Sequence, residues 1–214
     1  AIKKGKNVAL ANKESLVAGG EIVVGEAKKR GVTIIPVDSE HSAVFQALDF
    51  DFDKPFERII LTASGGAFRD FSKDELKSVT AKDALKHPNW NMGLKITVDC
   101  ATLVNKALEV IEAKWLYGAA FQKIDVVVHR ESIIHSMVEF SDGSVIAQMS
   151  YPTMEIPIAL ALSYPERIKS GVKPLNLANI GKLTFSEIDN DRVPCFVLVL
   201  SAAKIGGLYP AVAN

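Results

Sequence analysis

The chain has 214 residues, 48% apolar and 23% charged, which is ordinary for a globular protein and enough for one large domain or two small ones. Its 25 basic and 25 acidic side chains cancel, so charge gives no reason to expect a nucleic acid or an anionic membrane as partner. No apolar run reaches the roughly 20 residues that span a bilayer, and the two cysteines, Cys100 and Cys195, build no disulfide framework and fit a reducing compartment.

Taken in chain order, residues 6–11 (KNVALA) predict a short buried strand. Residues 12–30 predict a helix with Leu16, Gly20, Val23 and Ala27 on one face, stopped by Gly31. A second strand follows at 32–37 (VTIIPV). Strand, helix and strand imply parallel pairing through a right-handed crossover, and ligands on such sheets sit at the C-terminal strand ends. Asn12-Lys13-Glu14 follows the first strand and Asp38-Ser39-Glu40 the second, so both polar clusters are expected on one edge.

Residues 58–66 (RIILTASGG) predict a third strand ending in a small-residue turn. A long polar stretch, 67–93, carries short helices near 73–80 and 81–87 and a solitary Trp90 in HPNWNMG. Loops of that length are usually functional or disordered, and this one is expected to be the most mobile internal segment. Residues 99–118 read as one continuous helix with the stripe Val104, Leu108, Ile111 and Trp115, closed by Gly118. Asn105 and Glu109 lie one turn apart on a polar flank normal for a surface helix, and Lys106 lies about 60° further round. A strand at 124–129 precedes a hairpin over 132–150 that turns at Asp142-Gly143. Four prolines from Pro152 to Pro174 suggest an extended connector, and 175–214 a mainly helical unit.

Asp38, Glu40 and Glu109 are candidate acids for a divalent cation such as magnesium or manganese, for which oxygen ligands are suited. The commoner use of Asp38 is as a helix cap with Glu40 in the first helical turn. There is no HExxH pattern to support zinc, and His129 and His135 are expected to be packing residues. Neither a G-x-G-x-x-G turn nor a P-loop occurs, although Ser64-Gly65-Gly66 offers backbone N–H groups and a hydroxyl to a phosphate, or simply a turn.

Read together, ALANKESLV, PVDSEHSAVFQ, LTASGGAFRD, HPNWNMGLKITVD, ATLVNKALEVIEA and ESIIHSMVEFSDGSVIAQMS resemble, in that order, the 1-deoxy-D-xylulose 5-phosphate reductoisomerase family of the non-mevalonate isoprenoid pathway. The resemblance covers nearly the whole chain. It implies an NADPH-dependent rearrangement and reduction of 1-deoxy-D-xylulose 5-phosphate to 2-C-methyl-D-erythritol 4-phosphate. By its residues, the metal ligands are Asp38, Glu40 and Glu109, for Mg, Mn or Co. Ser39 matches a substrate-binding serine and Lys13 a lysine near the reacting carbons, and Lys13 and Glu40 are the catalytic candidates. Ser64, Asn105 and Lys106 match phosphate-binding residues, standing away from the chemistry. His87, Trp90 and Met92 match loop residues that close over the substrate, and Asn12, Glu14 and Gly93 positions on the NADPH side. Cys100 stands where the family usually has a phosphate-contacting serine, and Ala107 where it has glycine.

The implied fold class is α/β: the end of a dinucleotide-binding parallel sheet (1–37), an α+β catalytic domain (38–165) with a lid at 64–94, and a connector to a helical C-terminal domain (166–214). The implied partners are a sugar-phosphate substrate and a second copy in a homodimer, with no nucleic acid and no membrane. The implied location is the cytoplasm of a bacterium, or a plastid. The chain opens without methionine and ends without a helix stop, so it is expected to be a piece of a longer protein, and turnover by the piece alone is not expected. The other readings are a metal-dependent sugar-phosphate aldolase or isomerase without nicotinamide, and an inactive binding fragment.

Overall fold

A computed structural model describes residues 1–88, 90 and 92–214. The first strand–helix–strand unit forms as its pattern predicts. β1 (Val8–Leu10) and β2 (Ile34–Pro36) pair in parallel, with Val8 opposite Ile34 and Leu10 opposite Pro36. Between them runs α1 (Glu14–Arg30), ended by Gly31 in the left-handed conformation with its N–H on Ala27 and Lys28 carbonyls. Gly20 has a packing role, because a Cβ there would lie 2.3 Å from the ring of Trp115. Its absence lets α1 close on a later helix.

α2 (Ser39–Ala47) starts directly after β2 and covers the larger sheet. That sheet has the order β4-β3-β5-β6, from β3 (Arg58–Ala63), β4 (Ile124–Val128), β5 (Ile134–Glu139) and β6 (Val145–Met149). β3 runs parallel to β4 and antiparallel to β5, and β5 and β6 form the expected hairpin with β6 at the edge. Between β3 and β4 in sequence come a 3-10 turn (Glu75–Ser78), α3 (Ala81–Ala84), α4 (Leu94–Ala101) and α5 (Val104–Tyr117). The chain finishes with α6 (Glu155–Ser163), α7 (Leu177–Ile180), α8 (Pro194–Ile205) and α9 (Tyr209–Ala213). One apolar core joins Leu16, Ile34, Phe45, Ile59, Leu61, Val110 and Val138, and a second joins α5 to Phe196 and Val199 of α8. Among the described residues no helix is long and apolar enough to cross a membrane.

Three expectations need correction. The helix over 99–118 is two helices, broken at Leu103, whose φ of 57° is left-handed. Thr102 ends α4 by turning its hydroxyl back to the carbonyls of Val98 and Asp99, and burial of Leu103 holds the bend. No glycine or proline marks the break, so periodicity runs through it. Nor is α5 a surface helix: every residue in it except Lys114 and Trp115 is buried, because α1 and α8 pack against it. Finally, the helices of the polar stretch are shorter than expected; α3 is a single turn capped by reciprocal Thr80 and Asp83 bonds. The expected mobility of 67–93 includes Asn89 and Asn91, which lie outside the described residues.

Candidate active site

Asp38 resolves the two uses weighed for it by serving the first in a way that permits the second. It caps α2, accepting from the Glu40 N–H at 3.3 Å, and that cap turns the chain so that Glu40 enters the first helical turn. Its other oxygen lies 2.6 Å from the Lys13 ammonium, which follows β1. The two strand ends thus open on one edge, as parallel strands require. From across the core the first two turns of α5 add Asn105, Lys106 and Glu109.

The groups form a closed network. Lys13 Nζ donates to Glu109 Oε1 at 2.8 Å and to Asn105 Oδ1 at 2.8 Å. Asn105 Nδ2 donates to Glu109 at 2.6 Å. Lys106 Nζ bridges Glu40, at 2.7 Å, and Glu109. Ser39 Oγ donates to the second Glu40 oxygen at 2.6 Å. Lys106 and Asn105 therefore do not stand apart from the carboxylates, as the resemblance suggested for phosphate anchors. A buried ammonium or amide has to find acceptors, and Glu109 supplies them.

Electrostatics divides the acids. Three carboxylates face two ammonium groups, leaving one surplus negative charge. Burial alone would favour the neutral form of Asp38, but the adjacent Lys13 overrides it and holds the carboxyl well below its ordinary value. Glu40 carries the surplus: burial and the Glu109 charge, opposed by Lys106, push it up to about 7. Burial would lower both lysines. The carboxylates outweigh it, chiefly Asp38 and Glu109 for Lys13 and Glu109 and Glu40 for Lys106, so both ammonium groups stay charged.

One ligand atom from each of Asp38, Glu40 and Glu109 lies within 4.8 Å of the others. With bonds of roughly 2.0–2.6 Å, ligands of one divalent cation sit about 3–3.5 Å apart when adjacent and about 4–5 Å apart when opposite, so 4.8 Å is within the outer limit for one ion. The donor set is all oxygen and largely buried, so it fits a hard cation.

These residues line one cavity of about 310 Å³ together with Ser64, Trp90, Met92 and Cys100. Ser64 follows the C-terminal end of β3. His87 joins through it: the Trp90 N–H donates to His87 Nδ1 at 2.9 Å, which leaves Nε2 to donate to Ser64 Oγ at 3.0 Å. Burial and then Arg69 lower the His87 pKa, in keeping with that neutral ring. Burial and the Glu109 charge push the Cys100 thiol up to about 12, so it meets the cavity as a protonated, weak donor. Asn12, Glu14 and Gly93 are not in the lining. Asn12 bonds to Glu14, and Lys95, one residue into α4 from the position after Gly93, lies 3.5 Å from Glu14, so the three mark a rim outside the cavity.

Sequence reasoning missed two features. His135, taken as packing, also lines the cavity; its Nε2 lies 2.9 Å from Ser150 Oγ, and burial lowers it to about 4. Behind the carboxylates, His41 and Glu112 form a fully buried pair, Nε2 to Oε2 3.1 Å. The i, i+3 spacing of Glu109 and Glu112 was the available signal, but on a helix read as exposed it looked like surface decoration.

Comparison with known proteins agrees with this geometry. Residues 34–117 match the family model for the 1-deoxy-D-xylulose 5-phosphate reductoisomerase C-terminal domain, and residues 149–214 that for the DXP reductoisomerase C-terminal domain. The chain is 56% identical over its whole length to 1-deoxy-D-xylulose 5-phosphate reductoisomerase from a Geobacillus species, covering 56% of that protein. It is 58% identical to the Chlorobium chlorochromatii protein of the same name, again over all of this chain and 56% of the relative. A crystal structure of DOX-P reductoisomerase in complex with NADPH, fosmidomycin and magnesium superposes with a TM-score of 0.93 at 45% identity, over 100% of this chain and 55% of that one. The Zymomonas mobilis enzyme in complex with NADPH gives 0.91 at 43%, over 99% and 55%. The chain spans little more than half the length of these relatives. With identity sustained from end to end and the expected acids converged in one cavity, the chain belongs to the 1-deoxy-D-xylulose 5-phosphate reductoisomerase family.

Proposed function

We propose that the protein rearranges 1-deoxy-D-xylulose 5-phosphate and reduces the product with NADPH to 2-C-methyl-D-erythritol 4-phosphate. The observation that carries the reading is the convergence of Asp38, Glu40 and Glu109 beside Lys13 in a cavity that also holds Ser64, Asn105 and Lys106. Asp38, Glu40 and Glu109 would hold a magnesium, manganese or cobalt ion. When bound, the cation supplies Lewis-acid polarisation of adjacent substrate oxygens, and NADPH supplies the reducing equivalent.

The chain's own residues do the rest. Asp38, kept ionised by Lys13, fixes that ammonium at the cavity wall. Glu40, whose pKa near 7 belongs to the metal-free site, gives up its proton as the cation binds, and Ser39 Oγ orients it. Lys106, Asn105 and Ser64 are the cavity's donors for a phosphate, whose binding positions the carbons that exchange partners. Trp90, held through its N–H by His87, and Met92 line the cavity and in this reading exclude water.

Residues 64–94 act as a lid in this reading. Residues 1–37 belong to the nicotinamide side, with Asn12, Glu14 and Gly93 at its rim, 38–165 to catalysis, and 166–214 to a helical unit. A cytoplasmic location and a homodimer go with it; the edge strand β6, with Val145 and Ile146 exposed, is a surface for a second copy. The neighbouring structure holds fosmidomycin, magnesium and NADPH, which supports a sugar-phosphate substrate and disfavours an aldolase without nicotinamide. The test is NADPH oxidation by the full-length protein with 1-deoxy-D-xylulose 5-phosphate and Mn²⁺. Metal-dependent oxidation is expected; no oxidation by folded, metal-loaded protein would overturn the reading.

A further inference from the structure

The carboxylate triad is assembled from two helices that hardly support each other. α2, which Asp38 caps and which carries Glu40, rests mainly on β5 and β6. α5, which carries Glu109, rests mainly on α1 and α8. A divalent cation tolerates errors of only about 0.2 Å in its ligand distances, so something has to fix one helix against the other. At the cavity Lys106 ties Glu40 to α5 and Lys13 ties Asp38 to Glu109; behind it two further contacts join the helices, and both involve His41, the residue after Glu40. Its imidazole lies 3.1 Å from Glu112 Oε2, one turn beyond Glu109, and its carbonyl accepts from Tyr117 Oη at 2.6 Å. The His41 and Glu112 side chains are 0% and 1% exposed. Among the described residues neither ring nitrogen of His41 nor Oε2 of Glu112 makes an aligned hydrogen bond, so the 3.1 Å approach of the two side chains is a close contact between the helices and not part of another network. Glu112 is not part of the triad. A buried ion pair is seldom the most stabilising way to fill such a space, which makes a purely structural role a poor account of it.

We propose that His41 and Glu112 are positioning residues, a buried brace between α2 and α5 that helps set the spacing of Glu40 and Glu109 and thereby the affinity for a divalent cation. The inference rests on the metal reading above. It differs from an effect of electric field alone. Shortening Glu112 to aspartate keeps the same ionisable group beside the triad and would by field alone change nothing, whereas it withdraws the carboxyl from His41 and breaks the brace.

The experiment is Mn²⁺ titration of the protein, followed by electron paramagnetic resonance of the free ion, for wild type, His41→Asn and Glu112→Asp, with Val138→Ala, a core variant on β5, as a stability control. The brace predicts that both His41→Asn and Glu112→Asp weaken Mn²⁺ binding about tenfold, while Val138→Ala lowers the melting temperature and leaves the affinity alone. Should His41→Asn fail to fold, Glu112→Asp decides. Wild-type affinity in Glu112→Asp, tighter binding in His41→Asn, or an equal loss in Val138→Ala would overturn the brace. If wild type binds no Mn²⁺, the metal reading itself fails, and the brace with it.

Discussion

Lys13 lies 2.8 Å from Glu109, and Lys77 lies 2.8 Å from Asp74 in the polar stretch between β3 and α4. Distance does not separate the two ion pairs; exposure does. The first pair's side chains are 7% and 1% exposed, the second's 78% and 89%. In the polar stretch, water and salt screen the attraction, and side-chain entropy cancels most of what remains. In the cavity each charge depends on the others, because removing one leaves its partners buried without compensation. The inner cluster can therefore shift proton affinities, while the pairs of the polar stretch decorate a solvated surface.

The largest expected effect follows from taking one charge out of the inner cluster. Lys13→Ala leaves three carboxylates facing Lys106 alone, and should cost about 3–5 kcal/mol of stability at neutral pH and abolish turnover. Denaturant melts check it, and saturating Mn²⁺ should recover part of the loss. A loss no larger than that of a surface variant would mean that the cluster is hydrated.

The second effect is on pH. Glu40 titrates near 7 in the folded protein against 4.5 ordinarily, so between those values the metal-free fold binds the proton more tightly than the unfolded chain does. The metal-free protein should lose stability as pH rises from about 4.5 to 7, and Glu40→Gln should remove that slope. Because a metal needs the ionised form, apparent Mn²⁺ affinity should fall about tenfold per pH unit below 7. Affinity that is flat with pH would show that Glu40 is already ionised. A smaller change is expected at the cavity's phosphate side: Cys100→Ser replaces a weak donor with a hydroxyl and should lower KM severalfold with kcat unchanged. The smallest is in the polar stretch, where Lys77→Ala should leave the thermal midpoint within error.

The same contrast explains what could be read from the sequence. β1, α1 and β2 were legible because apolar period, Gly31 and strand length agree, and they put Lys13 and Asp38 on one edge. Asp38 looked like a cap because it is one, and a cap that aims a carboxylate cannot be told from an ordinary cap by local pattern. The triad became legible through the ordered family motifs; spacing along the chain gives no sign that Glu109 faces Glu40. Leu103 was hidden because the bend is held by tertiary burial instead of glycine or proline. His41 and Glu112 were hidden because a charged residue is read as exposed until a packed neighbour is known, and α5 has neighbours on both sides.

The central claim is that Asp38, Glu40 and Glu109 hold one divalent cation. The most direct measurement is the number of Mn²⁺ ions bound per chain at pH 8, by electron paramagnetic resonance, in wild type and in Glu109→Gln. The account predicts one ion per chain in wild type and loss of that site in Glu109→Gln, with the fold retained by circular dichroism. An Mn²⁺ site of unchanged affinity in folded Glu109→Gln would contradict it.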